Sequence, residues 1–178
     1  MKPRPSPMNK KHKINLESSL SGESKFITDA SLVRLAKWLR LLGYDTVVFP
    51  SEAGRNLLRQ ADSEGRIVLT RRRDMAERQF SGTLFLITDM TVGRQLNAVI
   101  ESFSLNIDRE RMFGICMECN QKLQPVTRED VRDVVPRYIF ENCDRYNQCP
   151  GCKRIYWMGT HPRNALRFME RHIPNHLP

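Results

Sequence analysis

At 178 residues and 40% hydrophobic content, the chain has room for one ordinary domain and a small second one, with enough apolar mass for a true core. No run approaches the roughly 20 apolar residues of a membrane span, and the Lys/Pro-rich N-terminus lacks the apolar stretch of a secretory signal. The formal net charge of +9 favours a polyanionic partner, most simply nucleic acid, over plain solubility charge.

Residues 1–25 carry early prolines, serines and the run Lys10-Lys11-His12-Lys13 with few apolar side chains, and read as a disordered basic tail. From Phe26 the pattern changes. Phe26-Ile27-Thr28 is a strand ending at Asp29, and Leu32, Leu35, Ala36, Leu39 and Leu42 then recur at helical spacing until Gly43. A second strand covers Thr46 to Phe49. Leu57, Leu58 and Ala61 mark a helix stopped by Gly65. A third strand covers Ile67 to Thr70, and a fourth Leu84 to Thr88, ending at Asp89. Val92, Leu96, Val99, Ile100 and Phe103 trace an amphipathic helix. Short, nearly unbroken apolar strands alternating with helices imply a parallel sheet covered on both faces, so residues 26–104 read as an α/β domain.

Residues 105–115 read as a linker. Cys116-x-x-Cys119 and Cys149-x-x-Cys152 follow, two knuckles about thirty residues apart, and predict a zinc ribbon over 116–157. Each knuckle turns two sulfurs to one side, and the pair completes a tetrahedron. No ligand is left for a substrate water, so the Zn²⁺ is structural. Reduced, metal-binding thiols fit a cytoplasmic protein, and with four thiolates on one Zn²⁺ the net charge becomes about +7. The unmatched Cys143 reads as a plain small side chain. Between the knuckles lies a charged insertion whose Val134, Val135, Tyr138, Ile139 and Phe140 must pack on the ribbon or the first domain. In 158–178, Thr160 and Pro162 open a last helix, with Ala165, Leu166, Met169 and Ile173 as its apolar stripe.

In open parallel sheets, ligands bind beyond the carboxyl ends of the strands. Asp29, Asp74 and Asp89 all follow strands, and clustered carboxylates there would hold Mg²⁺ or Mn²⁺ for phosphodiester hydrolysis. Each also has a plain alternative: Asp29 and Asp89 as helix caps, Asp74 as a first-turn acid. Arg34, Lys37 and Arg40 share a helix face, which reads either as a stripe tracking a nucleic-acid backbone or as a solvated face. Trp38 and Trp157 read as core residues before base-stacking ones.

Taken together, three segments resemble a known family. They are the run Arg34-Leu-Ala-Lys-Trp-Leu-Arg-Leu-Leu-Gly-Tyr-Asp45, the run Glu64-Gly-Arg-Ile-Val-Leu-Thr-Arg71, and the paired knuckles with Val135-Pro136 between them and Tyr156-Trp157 after them. Over about 26–161 they closely resemble the Mut-seven C-terminal RNase domain, a PIN-like nuclease fold fused to a zinc ribbon. The resemblance implies a metal-dependent ribonuclease with Asp29 and Asp89 among its acids; at the end of the third strand, Thr70 is read as orienting water or phosphate. Two positions depart from the family pattern. Asn56 stands where an acid precedes the Leu-Leu of the second helix. The usual Thr-Arg-Asp reads Thr70-Arg71-Arg72-Arg73-Asp74, so Arg72 replaces an acid and Asp74 falls two residues later. Arg71, Arg72 and Arg73 can instead grip a phosphate directly. The alternative is therefore a catalytically silent RNA-binding protein, associated with the ribosome or tRNA. A third reading is a module whose ribbon contacts protein.

Overall fold

The computed structural model describes residues 24–157 and 160–176, so the basic tail and the side chains of Thr160, His161 and Pro162 lie outside the described residues. The alternating pattern becomes β1 (Phe26–Thr28), α1 (Val33–Leu41), β2 (Thr46–Val48), α2 (Arg55–Glu64), β3 (Ile67–Thr70), α3 (Arg73–Ala76), β4 (Leu84–Leu86) and α4 (Val92–Phe103). All four strands run parallel in the order β2-β1-β3-β4. The chain leaves β1 toward one edge, then crosses to the other side for β3, which opens a crevice at the carboxyl ends of β1 and β3.

Successive strand residues face opposite layers, as the pleat demands. Phe26 and Leu69 join a core with Leu35 and Leu39 of α1 and Leu96, Val99 and Ile100 of α4. Ile27 and Val68 face Leu57, Leu58 and Ala61 of α2 and Met75 of α3. Each fully buried leucine contributes about 1.5–3 kcal/mol. Turns are set by glycine at two places. Gly65 ends α2 in the left-handed region at φ +60, and Gly43, at φ +89, leaves no room for a Cβ, which would stand 2.7 Å from the Arg111 carbonyl oxygen.

Residues 105–115 do not behave as a linker. Leu105, Ile107 and Met112 are buried in the main core, and the Phe113 N–H donates to the Leu41 carbonyl. Beyond them, β5 (Gln124–Val126), β6 (Tyr146–Gln148) and β7 (Ile155–Trp157) form an antiparallel sheet, order β5-β6-β7. The insertion folds as α5 (Arg128–Val131) and α6 (Arg137–Asn142), and Val131 and Val135 join Tyr146, Cys143 and Trp157 in a small third core. That core accounts for Cys143 and Trp157 as packing residues. Val134 and Tyr138 are exposed instead.

The last helix, α7 (Thr160–His172), returns to the first domain. Ala165, Met169 and Ile173 complete the main core, and Phe168 stacks on Trp38 with centroids 4.1 Å apart. Leu166, expected on the buried stripe, is exposed. Among the described residues no helix is long and apolar enough to cross a membrane.

Candidate active site and metal centre

Asp29 sits at the crevice. It follows β1 directly and is 5% exposed. Its Oδ1 accepts from the backbone N–H and hydroxyl of Ser31, which caps a short 3-10 turn over Ala30–Leu32. Its Oδ2 accepts from the Thr70 hydroxyl at 2.9 Å, across from the end of β3. The capping role foreseen for Asp29 thus uses one oxygen, and the other faces the sheet edge. Thr70 in turn accepts from the Arg72 N–H at 3.1 Å. Ser31 was missed from sequence, although an Asp-x-Ser step opening a helical turn is a recognisable cap.

Arg72 occupies the rest of the edge. Its Nε and Nη2 grip the two oxygens of Asp74, each at 3.0 Å, and its Nη1 donates to the Ala53 carbonyl at 3.0 Å. The hydrogen bonds and charge of Asp74 raise the Arg72 pKa, with Asp29 contributing at longer range. Asp74 is exposed and also meets Arg78 at 3.3 Å. Hydrogen bonds from Arg72 hold its carboxyl below the usual range. Asp89 is half-buried and lines a different groove, with Arg94 and Asn97 of α4 and Arg171 and His172 of α7. Among the described residues, the only group of three or more acidic, cysteine or histidine side chains drawn together as metal ligands is the cysteine quartet. Asp29, Asp74 and Asp89 form no second one. Arg71, Arg73 and Asn56 are exposed at or near the edge.

The four sulfurs of Cys116, Cys119, Cys149 and Cys152 lie within 4.8 Å of one another, and those of Cys116 and Cys152 are 3.7 Å apart. Sulfurs at the corners of a tetrahedron with metal–sulfur bonds of about 2.3 Å stand about 3.8 Å apart, so the donor set fits Zn²⁺. The two knuckles repeat one backbone pattern. Asn120 N–H donates to the Cys116 carbonyl and Lys153 N–H to that of Cys149; both donors sit at φ +60. Cys116 N–H then bonds the Gln121 carbonyl, and Cys149 N–H that of Arg154. Burial pushes the Cys116 thiol up, but bonds from the Tyr156 hydroxyl and the Cys119 and Glu118 N–H groups outweigh it and bring it to about 6. The bond to Cys152, then desolvation and the neighbouring Cys116, push Cys119 up to about 12. Four thiols this close cannot all ionise unaided, and a dication removes the conflict.

The first knuckle is bound tightly to the sheet domain. Arg40 is 5% exposed, with Nη1 on the Met117 and Glu118 carbonyls at 2.6 and 3.1 Å and Nε on that of Thr46 at 2.8 Å. Arg40 is therefore no part of a backbone-tracking stripe. Lys37 pairs with Glu118 at 2.7 Å, leaving Arg34 as the exposed cation of that face. Asn120 accepts from the Thr46 N–H at 2.8 Å and donates to Asp45. Burial pushes Asp45 up, yet bonds from Arg66 and Asn120 hold it below the ordinary value. An Arg40→Met protein keeps the apolar stem and orphans three carbonyls. It should lose about 2–4 kcal/mol in urea unfolding, and an unchanged midpoint would remove Arg40 from the clamp.

The Mut7-C RNAse domain model matches residues 24–169, covering the sheet domain, the ribbon and most of α7. No curated protein matches the chain.

Proposed function

The chain belongs to the Mut7-C RNAse domain family, and from that premise we propose that it is a ribonuclease that breaks RNA phosphodiester bonds at the carboxyl edge of its parallel sheet, with Asp29 as the reacting carboxylate. The observation that carries the reading is the buried Asp29–Thr70 pair at the point where the strand order reverses. Ser31 and Thr70 fix both oxygens of Asp29. A remaining lone pair takes the proton of the oxygen that attacks phosphorus, while the bond to the leaving ribose oxygen breaks and that oxygen takes a proton from water. Arg72, always charged and forked, supplies the positive charge that holds the phosphate. Arg71 and Arg73 flank it. Thr70 is a positioning residue that aims Asp29.

A Mg²⁺ or Mn²⁺ ion held by Asp29, Asp74 and Asp89 does not fit this donor arrangement. Arg72 and Arg78 satisfy Asp74, Asp89 lines another groove, and the Arg72 guanidinium brings like charge to the position. The reduced sulfur site and an RNA substrate agree with a cytoplasmic setting.

A second reading, an RNA-binding protein without cleavage and associated with the ribosome or tRNA, draws support from the same Arg72–Asp74 pair, which leaves Asp29 as the lone uncompensated acid of the edge. Cleavage of a labelled single-stranded RNA separates the two. Asp29→Asn is expected to lower the rate by about 100-fold or more with RNA affinity unchanged. If the unaltered protein binds RNA and cuts none of it, with or without Mn²⁺, the binding-only reading replaces the first.

A further inference from the structure

Beside the sheet edge runs a groove of about 520 Å³ between α2 and the segment joining α3 to β4. We propose that this groove is the track of a single RNA strand leading to Asp29, with Arg55, Arg59 and Arg78 holding its phosphates and Phe80 stacking a base. The proposal rests on the reading of the chain as RNA-directed and gives that reading a path.

Charge is the first argument. The groove is lined by three guanidinium groups and one acid, Asp62, whose Oδ1 already accepts from the Ser81 hydroxyl at 3.0 Å. Arg55 and Arg59 lie one turn apart on α2, so their side chains start about 5–6 Å from each other, and like charges at this spacing destabilise a helix. Both are exposed, and among the described residues neither makes an ion pair. A polyanion lying along the helix offsets that repulsion.

The second argument is the aromatic ring. Phe80 is half-buried, seated against the core under α2, and lines the groove. An aromatic side chain lining an arginine-bearing cleft is the kind of stacking platform that single-strand binders use, worth about 1–3 kcal/mol per base. A stacking ring beside exposed arginines suits the accessible base faces of a single strand. Duplex recognition instead uses a broad surface spanning about 16 base pairs.

The third argument is continuity. Arg78 lines the groove and reaches the Asp74 carboxylate at 3.3 Å. Asp74 is gripped by Arg72, and Arg72 bonds the Ala53 carbonyl just ahead of α2. Groove and edge are thus one connected surface. The exposed Arg34, on α1, belongs to the opposite layer.

The test is fluorescence anisotropy with a labelled oligouridylate of about 12 nucleotides, read at several salt concentrations, using full-length protein carrying Asp29→Asn to prevent cleavage. Arg55→Gln with Arg59→Gln is expected to weaken binding about 10-fold or more and to reduce the log–log salt slope by about 1.4, since each phosphate contact on a single strand contributes about 0.7. Arg55→Lys with Arg59→Lys should keep the slope. Phe80→Leu, which preserves apolar packing, should weaken binding about 5-fold with the slope unchanged. Unaltered affinity and slope in the double glutamine variant would overturn the groove, while Asp29-dependent cleavage would leave the ribonuclease reading standing. An equal loss for a blunt duplex of the same length would overturn the single-strand claim. No RNA binding even at low salt would overturn both groove and reading.

Discussion

A Cys149→Ser protein is expected to lose its metal and, with it, the fold of residues 115–157. The unaltered chain should carry one zinc per molecule. The third core is small, built around Val131, Val135 and Tyr146, and three strands of three residues hold little by themselves. A structural zinc supplies on the order of 10 kcal/mol of folding energy, more than such a core contributes. Cys149 is fully buried, so serine leaves a hard donor and a gap at the centre of the site. The loss should spread: once the first knuckle opens, Arg40 loses two carbonyl acceptors, and Thr46 and Asp45 lose Asn120. Limited proteolysis should show cuts between 115 and 157 that the unaltered protein resists, and the melting temperature should fall by several degrees or more. Elemental analysis finding less than about half an equivalent of metal in unaltered protein purified without chelator would sink the assignment, as would an unchanged proteolytic pattern in the variant.

Arg72→Asp combined with Asn56→Glu is expected to convert the sheet edge into a divalent-cation site. Removing the guanidinium takes away the charge that repels a metal and releases the Asp74 carboxylate it grips. New carboxylates then stand at both positions where the family pattern has acids, and hard oxygen donors gather near Asp29. Mn²⁺ affinity, followed by calorimetry, should rise roughly 10-fold or more, and RNA cleavage in Mn²⁺ should rise with it. Adding Asp29→Asn should cancel both gains. A folded double variant that binds Mn²⁺ no better than the parent would refute the role given to Arg72. So would an unaltered protein that already binds Mn²⁺ tightly at this edge.

The parallel sheet and the sulfur site were legible because their signals are local: apolar runs of strand length, helical spacing, and two C-x-x-C steps. The place of Asp29 at the crevice was legible because in this architecture ligands bind beyond the carboxyl ends of the strands. What sequence missed depends on partners distant along the chain. Arg40 reads as one cation of an amphipathic helix, and only the knuckle 77 residues later turns it inward. Asp89 follows a strand as Asp29 does, yet faces the groove between α4 and α7, which no local pattern announces. Residues 105–115 lack periodicity and so look like a connector, although Leu105, Ile107 and Met112 close the core. The arginines of α2 were passed over because exposed cations on a helix are ordinary. Their meaning comes from Phe80 and Arg78 across the cleft.

The return of α7 onto α1 and α4 places an ordering constraint on synthesis. Trp38 leaves the ribosome well before Phe168, its stacking partner, and the main core stays open until Met169 and Ile173 arrive. The ribbon is therefore an insertion within a domain, made while its host is unfinished. A nascent chain that stalls after Trp157 presents an apolar seam along α1 and α4 that chaperones or proteases can recognise. Delivery of zinc to the knuckles, which emerge before α7, falls within that interval, so the ribbon can close around its metal while the seam on α1 and α4 still awaits α7.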